Sequence, residues 1–343
     1  METTRFTRDT LSQAAAQLKT GQLVAFPTET VYGLGANALD QEAVKQVFHV
    51  KGRPSDNPLI VHVTGLEQVM MYVDEIHPLT KTLVEAYWPG PLTIILPIKE
   101  DAFPSVVTGG LSTVAFRMPD HALTLDLIET AGVPIVGPSA NLSGTPSPTT
   151  ADHVLHDFTG KIAGVLDGGA TKIGVESTVI DLSDPTGVPV ILRPGAITGE
   201  MLSETTQLMI TNEPVVLKGT EAPKAPGMKY KHYSPKTNVI MVDSNDFEQV
   251  RRYLNEKALR AGILAGPTAA AIVRAEAGAI FMYQNDTVEA AAKGLFSGLR
   301  ALDECQADLD VIFVETKEEH GLGYAYMNRL KKAANQQKFT NND

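Results

Sequence analysis

The sequence is poor in the features that support disulfide, cysteine-zinc or membrane-spanning structure. Its 343 residues include a single cysteine, Cys305, which excludes an internal disulfide and a cysteine-based zinc cluster. Apolar runs are short and are interrupted by proline, glycine or charged residues, so no segment is expected to cross a bilayer. Residues 1–9 are polar and mixed in charge, unlike a secretion signal, and a cytoplasmic location is therefore expected.

Basic residues are also scarce in the first part of the chain. The net charge is −11, and residues 1–210 contain 12 Lys and Arg against 23 Asp and Glu, which alone gives −11. The remaining residues contain 17 of each sign and are neutral overall. An acidic first region is a poor general surface for nucleic acid. Any anion site in this region must therefore depend on a few well-placed cations.

Several common catalytic motifs are absent. The chain has no G-x-x-x-x-G-K-S/T, no H-E-x-x-H and no G-x-S-x-G. Residues Gly33–Ala38 match the loose dinucleotide pattern G-x-G-x-x-A, but they lie well past a predicted strand that ends before Pro27, which disfavours a Rossmann cofactor site there. His153 and His156 could share a helix face, but no third ligand accompanies them. We therefore predict no metal site built from protein side chains.

The segment Lys51–His62 is the first candidate anion site. A helical pattern leads into it and an apolar strand pattern leaves it, while its glycine and two prolines exclude a regular element in between. Lys51 and Arg53 therefore lie on a short, stiff connection. Stiffness matters because an anion gains most from donors that are already in place.

Polar side chains also follow several other predicted strands. Hydroxyl-rich, ligand-facing loops are expected after the first strand, at Pro27–Ala38, and after a later one, at Pro138–Thr149. Arg117 follows another strand and is a candidate clamp for a carboxylate, with an internal salt bridge to Asp120 as the alternative. Ser177 and Arg193 lie at two further strand ends. The repeated delivery of Thr, Ser, Asn and Arg at strand ends indicates a ligand cleft on a mixed sheet.

The second part of the chain changes character. Residues 209–236 are rich in proline, glycine and lysine without periodicity, and we predict an interdomain linker whose aromatic second half could close over the cleft as a lid. From residue 237 to 335, strand and helix patterns alternate, which predicts a small parallel α/β domain. Residues 1–208 would form the first domain, and residues 336–343 are expected to be a disordered tail.

Together these segments resemble a known family. Lys51-x-Arg53 followed by Ser139-x-Asn141 is similar to the KxR…SxN signature of the YrdC-type threonylcarbamoyl-AMP synthases. The segment Pro27–Leu34 resembles the same family, as do the motifs beginning at Asn57, Trp88, Arg117, Glu176 and Leu192. The linker and the α/β tail resemble the long, two-domain form, so the similarity covers nearly the whole chain.

The resemblance implies a fold and a reaction. The fold is an α/β type, a twisted mixed sheet with surrounding helices, plus a smaller Rossmann-like parallel α/β domain at the carboxyl end. The reaction is a nucleotidyl transfer in which L-threonine, bicarbonate and ATP, with Mg²⁺ on its phosphates, give threonylcarbamoyl-AMP and pyrophosphate. Downstream threonylcarbamoyl transferase machinery would then form N6-threonylcarbamoyladenosine in tRNA, which this chain would meet only indirectly.

The resemblance also implies roles for individual residues. Lys51 and Arg53 would act at the junction of carbamate and phosphate. Thr178 stays open as an alternative to Ser177, and Tyr230 as an alternative to Tyr233, which would reach over from the linker. L-threonine would be bound by Thr30, His62, Arg117, Ser139 and Ser177, and ATP by Arg53, Asn57, Thr113, Asn141, Thr149, Arg193 and Tyr233.

Two alternative functions remain open from the sequence. One is a double-stranded RNA or tRNA-binding module without adenylation activity, which the basic linker favours and the acidic first domain disfavours. The other is a carbamoyl-transferring maturation factor that shares the first domain. Such factors resemble this chain only with added cysteine-rich zinc-finger modules, which a single cysteine cannot supply.

Overall fold

The computed structural model of the protein describes residues 2–211 and 233–340. The chain divides into two compact units. The first comprises Met1–Ser143, Pro148–Lys172 and Glu176–Lys229, and the second comprises Gly144–Ser147, Ile173–Val175 and Tyr230–Asp343. Two short segments that interrupt the first unit in the sequence therefore belong to the second unit. Residues 212–232 of the predicted linker and lid, including Tyr230, lie outside the described residues, and the predicted boundaries stay a prediction.

The first unit is built on a mixed sheet of ten described strands surrounded by helices. The strands follow the spatial order β1-β8-β2-β3-β7-β4-β6-β5-β9-β10. They are β1 (Thr4–Phe6), β2 (Val24–Phe26), β3 (Gly33–Asn37), β4 (Ile60–His62), β5 (Leu92–Pro97), β6 (Thr113–Arg117), β7 (Ile135–Val136), β8 (Gly164–Leu166), β9 (Thr178–Asp181) and β10 (Val190–Arg193). The helices are α1 (Leu11–Lys19), α2 (Gln41–Lys51), α3 (Leu66–Met70), α4 (Leu79–Tyr87), α5 (Ser105–Thr108), α6 (Ala122–Ala131), α7 (Ala151–Phe158) and α8 (Gly199–Thr206).

Strand directions bring several strand ends to one edge of this sheet. Strands β4 and β6 are parallel, β5 is antiparallel to β6 and parallel to β9, and β10 is antiparallel to β9. The carboxyl ends of β4, β6 and β10 therefore lie beside the amino ends of β5 and β9. At the opposite edge, the amino ends of β4 and β6 lie beside the carboxyl end of β7, which is antiparallel to β4.

Helix α2 places the first candidate cations. Asp40 caps its amino end by accepting hydrogen bonds from the amides of Glu42 and Ala43. Gly52 caps its carboxyl end and adopts φ 61°. Its apolar face includes Val44 and Val47, which are fully buried. Burying each of these side chains contributes about 1.5–3 kcal/mol, which fixes the rotation of the helix and the direction of its last turn.

The second unit contains a parallel sheet with helices, as the alternating pattern predicts. Four described strands follow the order β11-β14-β12-β13. The strands are β11 (Asn238–Val242), β12 (Ala261–Ala265), β13 (Ala279–Met282) and β14 (Val311–Glu315), and the helices are α9 (Phe247–Lys257), α10 (Pro267–Ile272), α11 (Val288–Asp303) and α12 (Leu322–Ala333). Among the described residues, no helix is both long and apolar enough to span a membrane.

The structure corrects two expectations. The polar segment Pro27–Ala38 is not all loop, because Gly33–Asn37 forms β3, which pairs with β2 and β7. A Cβ at Gly33 would lie 2.6 Å from Cζ of Phe26, so this glycine allows close packing of that ring. Strand formation here also removes the turn that a dinucleotide site would need.

The disordered tail predicted for residues 336–343 is wrong for residues 336–340. The amide of Phe339 donates to the carbonyl of Met241 at 2.8 Å, and Lys338 forms a parallel bridge with the same residue. The Phe339 ring packs against Tyr253 and Phe313 with centroid separations of 5.6 and 6.0 Å. Aromatic burial therefore orders this segment. Residues 341–343 lie outside the described residues.

Candidate active site

His62 and Arg117 are direct neighbours at the carboxyl ends of parallel strands β4 and β6. Both are buried, with 2% and 4% of their surface exposed. Burial, followed by the nearby Arg117 charge, holds the pKa of His62 well below its usual range. The imidazole is therefore neutral at pH 7, and its Nδ1 has no hydrogen-bond partner among the described residues.

The partner of Arg117 is Glu29. Nη2 of Arg117 lies 2.7 Å from Oε2 of Glu29, and its Nε donates to the carbonyl of Gly90 at 3.3 Å. The predicted alternative, a salt bridge to Asp120, is wrong, because Asp120 lies instead 4.0 Å from Nζ of Lys172. Glu29 is 2% exposed, and its Oε1 has no hydrogen-bond partner within the described ranges. An oxygen in this state costs about 1–3 kcal/mol or more unless a ligand donates to it.

Ser177 and Arg193 form a second buried contact at the same edge of the sheet. Nη2 of Arg193 donates to Oγ of Ser177 at 3.0 Å, and its Nε donates to the Ser177 carbonyl at 3.1 Å. The Ser177 hydroxyl also lies 2.8 Å from Oγ1 of Thr93, a residue that the sequence did not single out.

Thr178, the open alternative to Ser177, has a hydroxyl committed to the backbone. Its Oγ1 donates to the carbonyl of Ile197 at 2.6 Å and accepts from the amide of the same residue at 3.1 Å. Both hydroxyls therefore have partners within the protein, and the choice of Ser177 over Thr178 stays a prediction. The carboxyl-end group is named after the end of β4 at which most of its members lie, and Glu29 is included because it contacts Arg117. Its members are His62, Arg117, Glu29, Thr93, Ser177 and Arg193.

The two halves of the Lys-x-Arg and Ser-x-Asn pattern are in direct contact. Nζ of the buried Lys51 donates to the carbonyls of Ser139 and Asn141 at 2.5 and 2.6 Å. The Lys51 carbonyl in turn accepts from the amide of Ser143 at 2.8 Å. These bonds join the end of α2 to the polar loop after β7, although the residues are far apart in the sequence.

Arg53 and Asn57 lie beside this contact. Nη2 of Arg53 donates to the carbonyls of Asn57 and Pro58 at 3.3 and 3.4 Å, and its guanidinium lies 5.8 Å from the ring centroid of Phe48. Asn57 is completely buried, and neither Oδ1 nor Nδ2 has a hydrogen-bond partner among the described residues. A buried amide without partners points to a ligand that supplies them. We call Lys51, Arg53, Asn57, Thr113, Ser139 and Asn141 the amino-end group; Thr113 is the first residue of β6.

Other predicted site residues hold the loops around these groups. The Thr30 hydroxyl lies 2.8 Å from that of Thr28, which donates to the carbonyl of Val31 at 2.7 Å. The Thr149 hydroxyl lies 3.3 Å from Nδ1 of His153. That histidine is therefore occupied by its own helix start, and within the described ranges no three His, Cys, Asp or Glu side chains are grouped as metal ligands.

Tyr233 belongs to the second unit. It is buried, adopts φ 66° and packs its ring on that of Phe296 with centroids 5.1 Å apart. Tyr233 is therefore fixed in position within that unit.

The amino-end and carboxyl-end groups flank β4, which has only three residues. At about 3.3 Å per residue, the strand spans roughly 10 Å, which is the scale of an amino acid joined to a phosphate. A cavity of about 960 Å³ also opens beside Arg53, between α2 and the residues Ser105–Gly110. The first unit thus offers two anion-compatible groups at a separation that one composite substrate could bridge.

Two family models match the chain in sequence. The model for Sua5, YciO and YrdC proteins, described as "Telomere recombination", matches residues 16–195. The chain belongs to the Sua5/YciO/YrdC family. A second model, described as "Threonylcarbamoyl-AMP synthase, C-terminal domain", matches residues 197–335. The predicted membership of the long, two-domain form is therefore confirmed.

Relatives in the Sua5/YciO/YrdC family match over almost their full length. A threonylcarbamoyl-AMP synthase from Pyrococcus abyssi is 49% identical over 327 residues, covering 94% of this chain and 93% of that protein. A protein of the same name from Bacillus subtilis is 46% identical, with 94% and 92% covered. The crystal structure of P. abyssi Sua5 complexed with L-threonine superposes with a TM-score of 0.89 at 44% identity, covering 99% of this chain and 100% of that one. These matches confirm the predicted fold.

Proposed function

We propose that this chain is an L-threonylcarbamoyladenylate synthase, a nucleotidyltransferase that uses L-threonine, bicarbonate and ATP. The observation that carries this proposal is the pair of buried polar groups on either side of β4. One contains the Arg117–Glu29 pair, and the other contains Lys51 and the Asn57 amide, which has no hydrogen-bond partner among the described residues. Support also comes from the P. abyssi relative, which is 49% identical to this chain and is named threonylcarbamoyl-AMP synthase.

The reaction needs no covalent enzyme intermediate. The threonine amine forms a bond to the carbon of bicarbonate, and water leaves, which gives a carbamate. A carbamate oxygen then attacks the α-phosphorus of ATP, and the bond from that phosphorus to the departing pyrophosphate breaks. Carbamate, carboxylate and triphosphate repel each other in water. The principal task of the site is therefore to bring three anions together.

The carboxyl-end group suits an amino acid with a hydroxyl side chain. Arg117 is oriented by Glu29 and can present N–H donors to a carboxylate. The neutral His62 and the Ser177 hydroxyl can bind the threonine hydroxyl and carbamate without adding net charge. Oε1 of Glu29 can accept from the substrate nitrogen. The crystal structure of P. abyssi Sua5 complexed with L-threonine supports threonine as the amino acid substrate.

The amino-end group suits the nucleotide. Lys51 and Arg53 supply positive charge, and the Asn57 amide can both donate and accept. Thr113, Asn141 and Thr149 add further proposed ATP contacts. Arg193, which donates to the Ser177 hydroxyl in the carboxyl-end group, is also proposed to bind ATP. We propose that Mg²⁺ enters as part of Mg–ATP and is held by the phosphates.

The product implies further partners. Threonylcarbamoyl-AMP is a mixed anhydride that water destroys, so a threonylcarbamoyl transferase must consume it. We propose that this transferase machinery, in the cytoplasm, meets tRNA and that this chain does so only indirectly. The RNA-binding alternative gains no support from the names of the relatives.

The test is a pyrophosphate-release assay with the full chain, ATP, bicarbonate and single amino acids. We expect release to require both bicarbonate and L-threonine, with alanine inactive. Threonine-independent turnover would contradict the proposal. Salt-dependent tRNA binding without any turnover would select the RNA-binding alternative.

A further inference from the structure

Helix α11 of the second unit presents one row of buried side chains at four-residue spacing. The row consists of Ala292, Phe296 and Arg300. Residues four apart on a helix lie on the same face, so the row forms a single strip along about two turns. Three separate segments of the second unit contact this strip.

The first segment is Gly144–Ser147, which Arg300 holds. Nη2 and Nε of Arg300 both donate to the carbonyl of Pro146, at 2.7 and 3.1 Å, and the arginine is 3% exposed. The amide of Ser234 donates to the carbonyl of Gly144 at 2.8 Å, which holds the other end of the segment. Charge-assisted bonds to one carbonyl fix its position more strongly than neutral bonds would.

The second segment is Ile173–Val175, which packs at the start of the strip. Val175 is buried in an apolar cluster with Ala292 and Ala325. Gly174 adopts φ +83°, and a Cβ there would lie 2.5 Å from Cα of Lys293. The chain therefore touches the helix backbone at this point, and only glycine fits.

The third segment contains Tyr233, whose ring packs on Phe296. Each of the three segments includes a residue with a proposed ligand role or lies within three residues of one. Asn141 and Thr149 flank Gly144–Ser147, and Ser177 follows Val175 by two residues. Because a residue spans at most about 3.6 Å, a shift of an anchored segment is passed to these neighbours.

We propose that the Ala292–Phe296–Arg300 strip positions ligand residues for both substrates by holding the three segments that carry or precede them. Arg300 is a positioning residue for the nucleotide side, through Pro146, and the Gly174–Val175 contact positions the threonine side, through Ser177. This inference rests on the proposed function, and it gives the carboxyl-terminal unit a task in catalysis.

The test is steady-state pyrophosphate release by the full-length protein, with ATP and threonine varied separately. Arg300→Met keeps the length and apolar stem but loses both donors. We expect its KM for ATP to rise at least fivefold while its KM for threonine changes less than twofold. Arg300→Lys keeps a charged donor that can reach one carbonyl. Its KM for ATP should therefore lie between the values for the wild type and for Arg300→Met. Arg251→Met, at a half-buried arginine on α9 that pairs with Glu248, is the matched control and should leave both constants unchanged.

A second variant separates positioning from general damage. Gly174→Ala should raise the KM for threonine at least fivefold and leave the KM for ATP within twofold. The inference is overturned if Arg300→Met and Gly174→Ala change both constants in parallel, or if neither constant changes. Should Arg300→Met fail to fold, Arg300→Lys decides, and an unchanged KM for ATP in it would overturn the inference. A wild-type protein without threonine-dependent turnover would instead overturn the proposed function itself.

Discussion

Glu29 and Arg117 form a buried ion pair, 2.7 Å between Oε2 and Nη2, although they lie 88 positions apart in the chain. The pair ties the threonine-rich loop after β2 to the carboxyl end of β6. It also leaves Oε1 of the carboxylate without a partner among the described residues. Arg117 is therefore oriented before any ligand arrives, which lowers the cost of binding a carboxylate.

Glu29→Gln should destabilise the free protein and be rescued by substrate. Removing one charge of a buried pair leaves the other uncompensated, which costs about 3–5 kcal/mol. L-threonine would bring a carboxylate to Arg117, so it should raise the melting temperature of the variant more than that of the wild type. Thermal melts with and without L-threonine measure both effects. Glu42→Gln removes an exposed pair with Lys45 and should change little. Equal stability of Glu29→Gln and wild type would contradict the prediction.

Arg53→Ala should reduce catalysis without loss of the fold. A charge-assisted contact to phosphate is worth about 1.5–3 kcal/mol, so adenylate formation should fall at least tenfold. The measurement is pyrophosphate release, with melting temperature recorded on the same samples. Lys19→Ala, which removes an exposed charge in the last turn of α1, is the control for a lost cation away from the cavity. Unchanged pyrophosphate release by Arg53→Ala would count against the assignment.

Asn57→Leu should trade ligand binding for stability. The Asn57 amide is completely buried and lacks partners among the described residues, so an apolar group of similar size should be neutral or stabilising by about 1 kcal/mol. The same change removes a proposed contact to ATP. Urea unfolding and titration with a non-hydrolysable ATP analogue report the two effects. A large loss of stability with intact nucleotide affinity would show that the amide serves the fold.

His62 should make the folded state acid-sensitive. Its pKa is lowered by burial and by Arg117, so between the lowered value and about 6.5 the unfolded chain binds a proton that the folded chain does not. Stability should therefore fall as the pH drops below about 6.5 and stay level above it. His121, whose pKa burial also lowers, acts in the same direction.

The comparison that isolates His62 is urea unfolding of wild type and His62→Asn at pH 5 and pH 7. The variant should lose less stability on acidification than the wild type, because it has one fewer group to protonate on unfolding. Identical losses in the two proteins would show that His62 does not contribute.

The sequence predicted most of the elements, because their patterns are local. The helical spacing of Val44 and Val47 and the alternation from residue 237 onward both correspond to observed elements. Strand β3 was missed because its glycines argue locally against a strand. Their reason is a contact with the Phe26 ring on the neighbouring strand β2, which the local sequence does not show. The order of residues 336–340 was missed because it depends on Phe339 reaching Tyr253 and Phe313.

The candidate site could be predicted only in part, for a similar reason. The resemblance named Lys51 and Asn141 separately, and the structure joins them through a 2.6 Å hydrogen bond. Glu29 and Thr93 were not assigned roles, since their partners lie on distant strands. The Thr-Glu-Thr sequence directly after a strand end was the one local signal for Glu29. No local pattern marks Arg300, whose role depends on a carbonyl at Pro146.

The brevity of β4 has a consequence for how such a protein can change. Its three residues set the distance between the proposed amino acid site and the proposed nucleotide site. Inserting two residues into β4 would keep every side chain on its original face, yet it would lengthen the strand by about 7 Å. Such an insertion would leave both ligands bound but too far apart to react. The length of this strand therefore limits catalysis as directly as the identity of the residues at its ends.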